Sequence, residues 1–172
     1  MIKQIEIENL KSILSDKIET GNLNLFTGVN GSGKSTFLQS LLLIRQSYIG
    51  GNFFRNPVSL KLSNGDSLVN VGTYRDILCH QALKSNERIS IKIHFDSKTL
   101  IFNSANYTSE NRDFNYLSGE INEDIFQFEK EKLFTDRWQY LAAERIEPNE
   151  DYPRFKSNEL LGKRGEYTAH YL

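Results

Sequence analysis

Leu23-Asn24-Leu25-Phe26-Thr27-Gly28-Val29-Asn30-Gly31-Ser32-Gly33-Lys34-Ser35-Thr36-Phe37-Leu38 is the stretch on which the fold turns. Gly28 to Ser35 fits the phosphate-loop pattern G-x-x-x-x-G-K-[S/T]. At average residue frequencies, chance produces such a match in a chain of this length on the order of once in a few hundred sequences. The surroundings suit the mechanism. Leu23 to Thr27 reads as a strand running into the loop, and a helix is predicted from Lys34 to Tyr48. Phe37, Leu41 and Ile44 share one face of that helix, Leu38 and Leu42 widen it, and Gly50-Gly51 ends it.

The chemistry of the loop follows from its residue types. Glycines let the backbone curl so that successive N–H groups converge on one point. A helix starting near Gly33-Lys34 aims its positive end there too. Lys34 supplies a mobile cation for β- and γ-phosphates and is the candidate catalytic residue. Ser35 offers a hydroxyl to Mg²⁺, and Thr36 can donate to the α-phosphate. Asn30, Gly31, Ser32, Gly33, Lys34, Ser35 and Thr36 form the predicted nucleotide set. A glycine turn that only caps a helix needs one such residue, not this many. No Asn-Lys-x-Asp stretch reads guanine, which points to ATP over GTP.

Outward from the loop, Ile5 and Ile7 alternate with Gln4, Glu6 and Glu8 as a half-buried strand. Val58, Leu60 and Leu62, a turn at Asn64-Gly65, and Val69 and Val71 predict a hairpin. Thr73 to Leu83 predicts a short helix, and Ile89, Ile91, Ile93 and Phe95 a strand. Asp96-Ser97-Lys98 turns that strand toward Leu100 and Phe102. Residues 103–118 read as loop with room for one more strand. Asp124 to Trp138 is predicted helical, and Tyr140-Leu141-Ala142-Ala143 a short strand.

The 172 residues carry 38% hydrophobic and 25% charged side chains and a formal net charge of -1. That composition suits a globular domain and excludes a bulk basic field, although a local basic patch fits inside a balanced total. The single cysteine, Cys79, excludes an internal disulfide framework and reads as a small buried residue. The longest apolar run, Leu41 to Ile44, is too short to span a bilayer, and no signal-peptide pattern opens the chain. The expected compartment is the cytoplasm, with no membrane partner.

Ile5-Glu6-Ile7-Glu8-Asn9-Leu10-Lys11-Ser12-Ile13, followed by Leu23 to Leu38, resembles the N-terminal lobe of ABC-type ATPases. The likeness is to the RecF, SMC and OLD-like branch, whose bacterial members are often labelled AAA-family ATPases. Two later stretches resemble predicted ATPases of this branch. One is Asn64-Gly65 followed by Val71-Gly72-Thr73-Tyr74-Arg75-Asp76-Ile77-Leu78, and the other is Tyr140 to Pro148 with Gly162-Lys163-Arg164-Gly165-Glu166. The resemblance implies an α/β fold, a P-loop NTPase of ABC-ATPase type with an antiparallel β subdomain. It implies ATP and Mg²⁺ as cofactors. It places Lys11 and Ser12 where the family approaches the nucleotide from the first strand. It also implies a homodimer of heads sandwiching ATP, with an effector protein, DNA or RNA as further partners, and a role in DNA maintenance or anti-phage defence.

Some family parts are missing. No apolar run ends in Asp-Glu, the acidic pair that positions magnesium and the attacking water. Leu117-Ser118-Gly119-Glu120 looks superficially like a signature loop, but a serine-glycine turn is the plainer reading. Gln81 is the nearest candidate for the glutamine that senses the γ-phosphate, and its surroundings match poorly. His80, His94 and His170 lack a switch context. Glu123, Asp124, Glu129 and Glu131 are interleaved with Lys130 and Lys132, as on a solvated helix face rather than a metal site. Arg154, Lys156, Lys163 and Arg164 sit among acids and are weak evidence for DNA contact.

The expectation is therefore the N-terminal part of one ATPase head over 1–172. Residues 1–50 would hold strands, loop and helix, 51–120 a hairpin-rich β region, and 121–172 a helix, a short strand and a polar tail. This head would bind ATP, with hydrolysis completed by C-terminal motifs absent here. The alternative is a nucleotide-dependent dimerisation module with little turnover. A P-loop kinase would need an acceptor site and a basic lid, and neither is identifiable.

Overall fold

Period-two alternation builds the sheet. A computed structural model describes residues 1–63, 67–82, 87–106, 114–136 and 138–142. Its strands are β1 (Ile2–Leu10), β2 (Ile13–Glu19), β3 (Val58–Lys61), β4 (Ser90–Phe95), β5 (Thr99–Ser104) and β6 (Tyr116–Ile121). They form one sheet in the order β2-β1-β4-β5-β6-β3, and every neighbouring pair is antiparallel. Among the described residues, two α-helices accompany it, α1 (Lys34–Ile49) and α2 (Tyr74–Ile77). The chain divides into a unit Met1–Phe134 and a unit Thr135–Leu172.

Ile5, Ile7, Ile91, Ile93, Leu100, Phe102, Leu117 and Leu60 are buried in the first unit, as are Leu42, Leu43 and Ile44 of α1. Each such side chain contributes about 1.5–3 kcal/mol relative to exposure. The wet face of the sheet carries matched charges. Lys92 Nζ lies 3.4 Å from Glu6 and 3.5 Å from Glu8, and His94 Nε2 lies 3.1 Å from Glu6. His94 Nδ1 meets the Thr99 hydroxyl at 3.0 Å, so this histidine belongs to a surface network.

Several expectations change. Leu23 to Thr27 joins no sheet among the described residues, and Leu23 and Leu25 are 91% and 86% exposed. The strand after β1 is instead β2, a polar segment with little alternation. β3 takes β6 as its ladder partner, with Leu60 opposite Leu117. The returning segment gives one backbone bond, Val71 N to Leu62 O at 3.1 Å, and the turn at Asn64-Gly65 lies outside the described residues. Asp124 to Trp138 is not one helix. It holds two 3₁₀ turns, Ile125–Phe128 and Lys132–Phe134. Phe128 and Phe134 fold down on Phe95, with ring centroids 5.7 and 6.4 Å away, and that packing overrides the helical pattern. In the second unit, Trp138 N donates to Thr135 O at 3.3 Å, and Tyr140 to Ala142 form no strand. Ala143 to Leu172 lie outside the described residues, and with them the stretch from Gly162 to Glu166, His170 and the four basic residues of the tail.

Buried polar side chains of α1 seal the outer edge of β3. Ser47 Oγ accepts from Lys61 N at 2.8 Å and donates to Leu43 O at 2.6 Å. Gln46 donates to Lys61 O at 2.5 Å and accepts from Val69 N at 3.0 Å. Arg45 Nη1 donates to Leu133 O. A sheet edge left bare would expose unpaired backbone groups, and Ser47 and Gln46 satisfy both of those at Lys61.

Candidate functional site: the glycine loop and the turn beside it

Gly28, Gly31 and Gly33 have φ of 145°, 84° and 90°. Other residues adopt such backbone only with strain, so the loop needs glycine at these positions. Gly33 is the N-cap of α1, which opens with no side-chain cap and no acidic residue in its first turn. Its positive end is therefore not neutralised by its own cap or first turn. Thr36 N and Phe37 N both reach Gly33 O, at 2.9 and 3.3 Å, and fix the start of the helix.

Lys34 folds back over the loop. Its Nζ donates to Gly28 O at 2.8 Å and to Val29 O at 2.7 Å. The ammonium is thus held against the loop by two neutral carbonyls. Charged phosphate oxygens are stronger acceptors and can recruit the same ammonium. Ser35 is exposed at the helix start, so its hydroxyl is free to meet a magnesium ion. Asn30, Gly31 and Ser32 are exposed in the loop, with Ser32 N donating to Val29 O at 3.3 Å. Thr36 is 5% exposed, a less accessible position than expected for a phosphate donor.

The β1–β2 turn packs directly on the loop. A Cβ at Gly33 would lie 3.1 Å from Ile13 Cγ1 and 3.5 Å from Ser12 Oγ. Lys11 Nζ donates to Gln39 Oε1, one turn into α1, at 3.0 Å. Burial pushes the Lys11 ammonium below its usual range, and the charge of Asp76 opposes that shift. Lys11 itself has φ of 54°, held by its N–H bond to Ile77 O at 2.6 Å. α2 is in turn fixed by a capping box in which the Asp76 carboxylate accepts from Thr73 N at 2.7 Å and Thr73 Oγ1 at 2.9 Å. The Thr73–Ile77 stretch thus supports the turn that borders the loop.

Ile13, Gln39 and Asp76 were not legible as site neighbours. Gln39 does fall one helical turn and a residue past Lys34, which is the signal that marks it. Gln81 is exposed in a turn. Leu117 to Glu120 lies inside β6, paired to β3 and β5, so it forms no signature loop. Cys79 is a buried free thiol. Among the described residues, no His, Cys, Asp and Glu cluster could hold a metal, and Asp124 serves as a cap, accepting from Phe126 N at 3.1 Å. No helix among the described residues is long and apolar enough to cross a membrane.

No curated protein and no solved structure matches this chain. A family model described as AAA ATPase domain matches residues 1–167, nearly the whole length. With a glycine loop, a lysine set over it and an uncapped helix behind, the chain belongs to the AAA ATPase domain family.

Proposed function

We propose that Gly28 to Thr36 binds ATP as its magnesium complex, in an ATPase head of ABC type from the RecF, SMC and OLD-like branch. The observation that carries this reading is the placement of Lys34 Nζ on the carbonyls of Gly28 and Val29, over an uncapped helix start. Loop amides and the α1 N-terminus hold the phosphates, Lys34 moves onto the β- and γ-phosphates, and Ser35 Oγ meets the metal. Magnesium, when bound, neutralises charge on the β- and γ-phosphate oxygens. Lys11 and Ser12 border the nucleotide from the β1–β2 turn.

The sequence holds no acidic pair after an apolar run, so hydrolysis in this reading requires carboxylates from outside residues 1–172. ATP held between two heads of a cytoplasmic homodimer fits a loop that binds without activating water. A role in DNA maintenance or anti-phage defence rests on the family resemblance alone. The same missing pair favours a second reading, in which ATP joins heads with little turnover.

Titration calorimetry with ATP tests the central claim. Lys34→Ala removes charge-assisted bonds and is expected to weaken binding about ten- to a hundredfold. Ser35→Ala is expected to weaken it with magnesium present and to have little effect with EDTA. Equal ATP binding by wild type and Lys34→Ala overturns the reading.

A further inference from the structure

A second anionic-ligand site lies away from the glycine loop, and we propose that it takes a nucleotide unit, with its phosphate on Arg55 and Lys61 and its base on Tyr116. An open cleft of about 340 Å³ is lined by Arg55, Lys61, Ser59, Asn52, Asn115 and Tyr116 among others, and its lining among the described residues includes no carboxylate. That volume is within the usual range for small-ligand sites, roughly 300–1,000 Å³.

Charge makes the first half of the case. Acidic and basic residues nearly balance over the chain, 22 against 21, so two cations with no acid between them are a local departure. Neither Arg55 nor Lys61 takes part in an ion pair among the described residues. The C-terminus of α1 ends at this cleft, at Gly50. Its partial charge is only about half a unit, and two full positive charges outweigh it. Gly50 N and Gly51 N already donate to Gln46 O and Tyr48 O, which further reduces the pull of that helix end. Hydroxyls and amides from Ser59, Asn52 and Asn115 add neutral polar groups beside the cations, a donor set suited to phosphate oxygens.

Stacking makes the second half. Tyr116 stands directly opposite Lys61 in the β3–β6 register, so ring and cation share one face. Phe114 stacks on Tyr116 with centroids 5.2 Å apart and planes 13° apart, and the two rings are 42% and 41% exposed. An exposed, pre-stacked aromatic pair beside two cations is the arrangement that holds an unpaired base next to its phosphate. Single-stranded nucleic acid and a free mononucleotide offer the same chemistry.

The experiment is fluorescence anisotropy with a labelled short oligothymidylate, repeated with labelled thymidine monophosphate, on the full chain. Binding of either probe is expected, and the tighter one names the source. Arg55→Glu, at an exposed position, is expected to weaken binding at least about tenfold while leaving the denaturation midpoint unchanged. Arg55→Ala with Lys61→Ala should flatten the log–log salt slope for the oligonucleotide by roughly 0.7, the value for one neutralised phosphate on a single strand. Tyr116→Ala should cost about tenfold for both probes and leave competition by pyrophosphate unchanged. Lys34→Ala should retain probe binding, which separates this site from the glycine loop. Failure of both probes, binding unmoved by the Arg55 and Lys61 changes, loss of binding in Lys34→Ala, or indifference to Tyr116→Ala overturns the assignment.

Discussion

Gly31 and Gly33 share left-handed backbone, with φ of 84° and 90°, but their surroundings differ. A Cβ at Gly31 meets nothing within 4 Å, whereas one at Gly33 meets Ile13 Cγ1 at 3.1 Å. Gly31→Ala should therefore cost only backbone strain, about 1–2 kcal/mol. Gly33→Ala adds a clash with a buried side chain and should cost about 1–3 kcal/mol more. Urea denaturation of both variants checks the ranking, and equal losses would refute the packing of Ile13 on the loop. Asp76 permits a pH test at the same scale. Its bonds from the Thr73 amide and hydroxyl hold its carboxyl below the ordinary value of 3.8. A depressed carboxyl contributes stability above its unfolded pKa and loses that contribution as pH falls through the folded one. Asp76→Ala should thus be less stable than wild type at neutral pH, with the gap closing below pH 3.8. Denaturant midpoints across that window decide it. The loop residues could be named from the sequence, because their pattern is local. It could not display Ile13 or Asp76 beside them, since those approaches depend on where β2 and α2 come to rest.

At the scale of elements, alternation made β1, β4 and β5 readable, while β6 entered only as room for one more strand in a polar stretch. β6 survives because Leu117 points inward and its partners β3 and β5 supply the ladder. The helix after the loop was readable in position but not in duty. Its buried polar residues dilute the apolar stripe, and three dimensions are needed to see that they seal the edge of β3. Gln46→Ala strands Lys61 O and Val69 N, each at about 1–3 kcal/mol if buried. The expected total is about 2–4 kcal/mol once partial relaxation is allowed for. Leu38, on the same helix and 46% exposed, should lose less than about 0.5–1 kcal/mol when changed to Ala. The two variants have opposite rankings under a purely hydrophobic account, so thermal or urea denaturation separates the two explanations.

At the scale of the whole molecule, the segment entering the glycine loop is the exception to an otherwise ordered arrangement of strands. Leu23-Asn24-Leu25-Phe26-Thr27 has the composition of a buried strand, yet only Phe26 finds a ring to meet, Phe37 at 6.2 Å. Strand-forming sequence is necessary for a strand but not sufficient, because the ladder needs a neighbour. The described sheet is complete without this segment, running from β2 to β3 through antiparallel pairs. Two leucines exposed at 91% and 86% put adjacent apolar surface into water. Such a patch should bind a hydrophobic dye and promote association. The double change Leu23→Ser with Leu25→Ser should lower 8-anilinonaphthalene-sulfonate fluorescence. Since neither side chain is buried, unfolding stability should move by no more than about 0.5 kcal/mol. Sedimentation velocity on the same pair should show less self-association in the variant. A loss of about 2 kcal/mol or more would mean that both leucines are covered in solution and that the segment has found a neighbour after all.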